Sequence, residues 1–252
     1  LLQYNHINQM TVTISATELS NYATRYPCLR CAWIRMHVKD LPYQTFPSIF
    51  SSIDSFTKNV ISAFFEKFSR LPDWFEEIGE VTENIKPPNW RKFYGDDKNT
   101  GVRVRGEADA IFRLSDGSYV IADYKTSRYN PERKYALLSY QIQLNAYAWI
   151  AESSGYSPIS RLYLIFMEPE SQKEFASSSS AISEMGMALG FKSNIIEVER
   201  RPEKLIPPIL DLVHSVSKMK IPPEGRNRCR DCVRLDEMIV QMTYGITNDT
   251  NQ

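Results

Sequence analysis

Gly106-Glu-Ala-Asp-Ala-Ile-Phe-Arg-Leu-Ser-Asp-Gly-Ser-Tyr-Val-Ile-Ala-Asp-Tyr-Lys-Thr-Ser127 reads as a β-hairpin. Ser115-Asp116-Gly117 is a short polar turn with glycine where a left-handed residue is needed, and alternating apolar and β-branched runs flank it. Setting Leu114 opposite Ser118 places Asp109 opposite Asp123 and Glu107 opposite Lys125. Side chains alternate along a strand. Glu107, Asp109, Asp123 and Lys125 therefore share one side, and Ala108, Ala110, Phe112, Val120, Ala122 and Tyr124 share the other. A bulge at Gly117 would shift the register by one residue, but the shared parity of Asp123 and Lys125 survives it.

A strand face of alternating charge is ordinarily a solvated surface. Two features point elsewhere here. Directly opposed carboxylates repel unless a cation lies between them, and Ile121, Ala122 and Tyr124 have the apolar character of an inner strand. Oxygen ligands without a neighbouring histidine suit Mg²⁺ or Mn²⁺ better than Zn²⁺. Asp109 and Asp123 are then the metal ligands, the Tyr124 carbonyl a further one, and Glu107 a supporting or second-metal candidate. Lys125 either stabilises a developing oxyanion or orients the attacking water.

Pro131 to about Ser153 reads as a helix, with proline early, good helix formers inside and Gly155 just past the end. Gln143 and Tyr147 stand four apart on one face, and Tyr140 joins them one turn earlier. Such a stripe either packs on a sheet or meets a substrate.

Asp109, followed after a turn by Asp123-Tyr124-Lys125, resembles the motif of the PD-(D/E)XK nuclease superfamily. Gln143-Leu-Asn-Ala-Tyr147 resembles the Gln-x-x-x-Tyr motif of its RecB-like branch, which includes CRISPR-associated adaptation nucleases and AddB-type recombination nucleases. The resemblance spans roughly residues 100 to 150, with cysteines extending it towards both ends. It implies an α/β domain with a central mixed β-sheet flanked by helices, a restriction-endonuclease-like core. It also implies a Mg²⁺- or Mn²⁺-dependent DNA nuclease, acting as an exonuclease on single strands or DNA ends in repair, recombination or CRISPR adaptation. Gln143 and Tyr147, with Tyr140 and Arg128, would contact the nucleic acid. The family usually carries a histidine ligand on a helix before the acidic strands. This chain has only His6, His37 and His214, none suitably placed, so Asp54 or Glu107 is the expected replacement. The same departure leaves room for a nuclease-fold module that grips nucleic acid without cutting it.

Cys28-Leu-Arg-Cys31 and Cys229-Arg-Asp-Cys232 are two Cys-x-x-Cys pairs that use all four cysteines. Two disulfides or a thioredoxin-like redox pair are the alternatives to a metal centre. A cytoplasmic setting disfavours the first, and neither pair sits in the strand-to-helix context of the second. Four thiolates suit tetrahedral Zn²⁺ and equally a [4Fe–4S] cluster. The resemblance favours iron–sulfur, because RecB-like nucleases of the AddB and CRISPR type hold a cluster with one upstream and three downstream cysteines. Here the division is two and two.

With 252 residues, 42% hydrophobic and 24% charged, the chain suits one large domain over 1–252, in which 1–40 and 219–235 form the cysteine region and 236–252 a polar tail that frays. Thirty basic and thirty acidic residues cancel, so any path for DNA is a local patch. Its candidates are Arg103, Arg105, Arg128, Arg133 and Lys134. No segment has membrane-spanning length and the start lacks a secretory pattern, so a cytoplasmic location is expected.

Elsewhere, Ser15-Ala-Thr-Glu18 is a capping box opening a helix that Pro27 must break before the cysteines. Ile53, Phe56, Val60, Ile61, Phe64, Phe65 and Phe68 mark an amphipathic helix over 52–69 whose aromatics are expected in the core, with Asp54 and Lys58 a surface pair. Residues 70–100 read as a loop or lobe over the site, with Trp74, Trp90, Phe93 and Tyr94 as packing anchors or base-stacking groups. Strands are expected over 161–167 and 194–198, an exposed loop at 177–180, and a helix from about Pro207.

Overall fold

The structure is a computed structural model and describes residues 12–24, 26–38 and 47–245. His6 and residues 246–252 of the expected tail lie outside them, as do parts of the region 1–40. Three N-terminal elements, β1 (Val12–Ser15), α1 (Ala16–Leu19) and α2 (Leu29–His37), precede a long helix, α3 (Ser48–Phe68). Strands β2 (Val81–Ile85), β3 (Tyr94–Asp96), β4 (Val102–Arg105), β5 (Ala110–Leu114) and β6 (Tyr119–Lys125) follow. Helix α4 (Lys134–Ser153) leads to β7 (Ile159–Pro169), a short α5 (Lys173–Ala176), and a small hairpin of β8 (Ile182–Ser183) and β9 (Gly186–Met187). Strand β10 (Phe191–Val198) and helices α6 (Pro202–Ser217) and α7 (Arg230–Tyr244) complete the chain.

The central sheet has the order β10-β7-β6-β5-β2 and is mixed, with β6 and β7 parallel and the other pairs antiparallel. Its hairpin register follows from the turn. Gly117 sits at φ +85, the Leu114 amide donates to the Ser118 carbonyl, and Asp116 accepts from both the amide and the hydroxyl of Ser118. Ala110 consequently pairs with Ala122 and Phe112 with Val120. The period-two pattern then sorts side chains between two cores. Ile111, Ile121, Leu162 and Leu164 face α4 and α6, whereas Phe112, Val120, Tyr124 and Ile165 pack on Phe75, Ile78 and Ile61. Helix α4 is buried around most of its circumference from Ile142 to Ala151, because the second sheet, β1-β4-β3, covers its other side with Ile14, Val102 and Val104. The expected α/β architecture is therefore present: a mixed sheet flanked by helices, with a helical region gathered at four cysteines.

Several expectations need correction. Helix α4 starts at Lys134, not Pro131, because the turn before it is held by the Asn130 side chain accepting from the Glu132 amide. Residues 70–100 are not a covering lobe: β2 is an edge strand of the central sheet and β3 joins the second sheet, with Phe93 fully buried in the core that surrounds α4. The aromatics of α3 are mostly outside the core. Only one narrow strip of this helix meets the sheet, so Thr57 and Ile61 are buried while Phe56, Val60 and Phe68 are exposed. Helix α6 begins at Pro202, in the first helical position that proline tolerates, well before Pro207. The polar tail is instead helical as far as Tyr244, and α7 carries exposed Met238, Ile239, Val240 and Met242. No helix among the described residues is long and apolar enough to cross a membrane.

Candidate active site and cysteine centre

Strand β5 parts from β6 just before Ala110, and Asp109 sits at that fork. Instead of continuing the ladder, its Oδ2 accepts the Tyr124 amide at 2.8 Å, and its Oδ1 lies 2.6 Å from Lys58 Nζ. Asp123 is 3% exposed on the α4 side of the sheet, where Lys125 Nζ lies against its Oδ2. That oxygen has no directed hydrogen bond among the described residues. Burial, reinforced by the neighbouring Asp109 charge, pushes the Asp123 carboxyl up to about 7 despite the opposing pull of Lys125.

Helix α4 supplies the partners. Gln143 accepts from Lys125 through Oε1 at 3.2 Å, and its Nε2 faces Asp123 Oδ1 at 3.3 Å and Tyr147 Oη at 3.0 Å. The lysine ammonium also stands 4.4 Å from the centroid of the Tyr140 ring. Burial, with Asp123 nearby, raises the Tyr147 phenol to about 12, so it keeps its proton. The helix reaches the strands closely because Gly106 has no side chain: a Cβ there would meet the Tyr147 ring at 2.5 Å. Asp123, Lys125, Gln143, Tyr147 and Tyr140 thus form one cluster with Asp109 at its edge.

Other expected site residues are placed differently. Glu107 is exposed and makes no contact with Lys125; it lines a cavity of about 420 Å³ together with Lys58, Asp109 and Tyr124. Chain divergence at Asp109 ends the pairing that would have set Glu107 opposite Lys125. Arg128 is exposed and donates to Ser171, while Arg133 and Lys134 are exposed where α4 begins. Arg103 and Arg105 lie on the second sheet. Arg91 and Arg105 stand 4.7 and 4.4 Å from the Trp90 ring centroid, and Arg103 stands 4.1 Å from that of Tyr94. These residues and Thr13 line a concavity of about 310 Å³. From the end of β4 the chain continues through Gly106 to Asp109.

Two members of the site are not evident from the sequence. Thr17 Oγ1, on α1, approaches Gln143 Nε2 at 3.4 Å. Lys58 makes the expected pair with Asp54 at 2.8 Å but also reaches Asp109. The capping box at Ser15 and Glu18 fixes the first, and the four-residue spacing of Asp54 and Lys58 the second; only the tertiary fold brings Thr17 to α4 and Lys58 to the hairpin.

The four cysteines form a separate centre. Cys28 and Cys229 are the N-caps of α2 and α7, and each helix carries the second cysteine of its pair in its first turn. The Sγ atoms of Cys28 and Cys232, and of Cys31 and Cys232, are 3.5 Å apart, those of Cys31 and Cys229 3.6 Å, and all four lie within 4.8 Å of one another. No disulfide joins them. Arg30 forms two hydrogen bonds to Asp236, at 2.9 and 2.6 Å, clamping α2 to α7. Burial raises the thiols of Cys31 and of Cys232, the latter to about 11. At Cys28 burial also acts upward, but hydrogen bonds from the Arg226 and Cys31 amides outweigh it and bring the thiol down to about 6. The Cys28 thiolate forms readily, whereas Cys31 and Cys232 need a cation to give up their protons; four sulfurs this close make a donor set able to hold a metal.

A mixed sheet with Asp123-x-Lys125 on β6 and Asp109 at the fork just before β5, backed by a Gln/Tyr helix, defines a nuclease-type α/β domain. The chain belongs to the PD-(D/E)XK nuclease superfamily, whose sequence profile matches residues 13–234. Among solved structures it is similar to the crystal structure of SSO0001, with 18% identity over 92% of this chain and 87% of that one, at a TM-score of 0.43. No curated protein matches it.

Proposed function

We propose that this domain binds nucleic acid across the Asp109–Asp123 edge and hydrolyses its phosphodiester bonds with Mg²⁺ or Mn²⁺. The observation that carries this is Asp123: a buried carboxylate with the Lys125 ammonium against one oxygen and the Gln143 amide facing the other, near the charge of Asp109. Asp109, Asp123 and the Tyr124 carbonyl offer oxygen donors of the kind a hard divalent ion prefers. When bound, that ion would polarise the phosphoryl oxygen and lower the pKa of a water. The protein's own groups orient and neutralise. Gln143 holds Lys125 Nζ and Asp123 in fixed relation, so the ammonium can meet the extra negative charge of the pentavalent phosphate. Tyr147 and Thr17 hold Gln143 in turn.

The Gln143–Tyr147 pair supports a place in the RecB-like branch, and the Trp90, Tyr94 and arginine surface supports a single strand or a DNA end as substrate. Exonuclease action, and service in repair, recombination or CRISPR adaptation, follow from that branch resemblance alone. For the cysteine centre, a tetrahedral ion at about 2.3 Å from each sulfur sets the sulfurs about 3.8 Å apart. The observed separations favour a single Zn²⁺ over a [4Fe–4S] cubane, whose thiolates bind at four separate irons.

A second function is a nuclease-fold module that grips nucleic acid without cutting it, the cysteine centre acting as a staple. Lys58 favours it, because protein charge already occupies Asp109 and no histidine joins the acidic edge among the described residues. End-labelled single- and double-stranded DNA, incubated anaerobically with Mg²⁺ or Mn²⁺, separates the two. Metal-dependent degradation lost in Lys125→Ala supports hydrolysis. DNA binding without degradation by the wild type refutes it and leaves the module.

A further inference from the structure

Lys58 projects from α3 into the acidic edge, where its Nζ lies 2.6 Å from Asp109 Oδ1 and 2.8 Å from Asp54 Oδ2. A four-residue pair on a helix surface is worth a few tenths of a kcal/mol and would need no further explanation. The bond to Asp109 does, because it joins α3 to the fork of the central hairpin. Asp109 Oδ2 is separately engaged by the Tyr124 amide at 2.8 Å. Asp123 Oδ2 is buried and has no directed hydrogen bond, although Lys125 lies against it. Each carboxylate of the edge thus meets one lysine and one further N–H donor, but from different elements: Asp123 meets Lys125 of its own strand and Gln143 of α4, whereas Asp109 meets the Tyr124 amide and Lys58, which arrives from α3 already paired with Asp54.

We propose that Lys58 is the built-in cation of this site. It fills, between Asp54 and Asp109, the position a second divalent ion would take, and confines ion binding to the side of Asp123. This rests on the metal-dependent reading for the role of that one ion, but not for the place of Lys58. An ammonium has three donors. Asp54 and Asp109 use two, and the third is available to a phosphate oxygen entering the cavity that Lys58 lines. Asp54 is then a positioning residue that holds the lysine in place, the role left over when it is not a metal ligand. A tethered charge in this position makes the site a one-ion centre.

The test counts Mn²⁺ bound per chain by electron paramagnetic resonance, using the full chain with its cysteine centre as isolated. Wild type, Lys58→Met and the double variant Asp54→Asn/Lys58→Met are compared, with thermal melting to verify folding. Lys58→Met should bind one more Mn²⁺ than the wild type, and the double variant should return to the wild-type count because one carboxylate ligand is gone. Equal counts in wild type and Lys58→Met overturn the proposal. Should Lys58→Met fail to fold, Lys58→Gln removes the charge while keeping a hydrogen-bonding head, and carries the same expectation. A count of zero rising to one supports the built-in cation while removing metal-dependent hydrolysis by the wild type. A count of one unchanged by substitution sinks the cation and leaves hydrolysis standing.

Discussion

Asp123→Asn should make the protein more stable at alkaline pH, even though Asp123 is the group on which the proposed chemistry turns. The carboxyl is displaced from 3.8 to about 7, chiefly by burial, which corresponds to about 4 kcal/mol of native-state penalty on its ionised form. The sign follows from linkage. A folded-state pKa above the unfolded one means that the native protein holds the proton more tightly, so stability is full below about pH 4 and is lost as pH rises through about 7. Asparagine is neutral throughout and escapes that loss. It also gives up the ion pair to Lys125 and sets an amide against Gln143, whose Nε2 now faces Asp123 Oδ1. We expect a net gain of about 1–2 kcal/mol at pH 8, a rise in Tm of about 4 °C for a chain of this size, shrinking towards nothing at pH 4. Thermal and urea unfolding of both proteins from pH 4.5 to 8, without added Mg²⁺ or Mn²⁺, measures it. A variant less stable than the wild type at pH 8, or a difference independent of pH, would refute the reasoning. Added Mn²⁺ should stabilise the wild type and reverse the order.

Three further outcomes are expected. Gly106→Ala sets a methyl 2.5 Å from the Tyr147 ring and should cost about 1–3 kcal/mol in urea unfolding, with activity falling more than stability because Gln143 loses its support; an unchanged midpoint would show that the helix can retreat. Trp90→Ala should weaken binding of single-stranded oligonucleotides by about 1–3 kcal/mol with little change in salt dependence, whereas Arg105→Ala should lower the salt slope by about one; fluorescence anisotropy at several salt concentrations reads both. Removal of the cysteine-bound metal by a chelator should lower Tm and expose four reactive thiols. The purified protein should be colourless if the ion is zinc, and brown, absorbing near ~400 nm, if the centre is iron–sulfur.

What the sequence reveals is local. The Ser115-Asp116-Gly117 turn sets its own register, so the residue pattern alone assigns Asp123 and Lys125 to one face of their strand. Gln143 and Tyr147 follow from helical periodicity, and the cysteine pairs from their spacing. Contacts between elements distant in the chain stay hidden. Strand β1 pairs in parallel with β4, Val12 beside Val102, and no short-range pattern marks such a pairing. The reach of Lys58 to Asp109 depends on how α3 lies along the sheet, and periodicity fixes a helix face without saying what will cover it. The exposed Phe56 and Phe68 arise from the same gap, since an apolar stripe is buried only where a partner exists. Glu107 departs for a different reason: strand parity does not extend past the point where Asp109 turns its side chain to cap the Tyr124 amide.

Because Cys28 and Cys232 lie 204 positions apart, an ion held by both cysteine pairs could be captured only late. During synthesis the second pair leaves the ribosome after both sheets and α4 have already appeared, so the centre is among the last long-range contacts the described fold can make, followed by the Arg30–Asp236 clamp. By the chain-entropy relation for a crosslink of this span, closing the loop restricts the unfolded chain by about 5 kcal/mol. Metal loading would then report that the chain is complete: one that stops before Cys229 has a single dithiol and no partner for it.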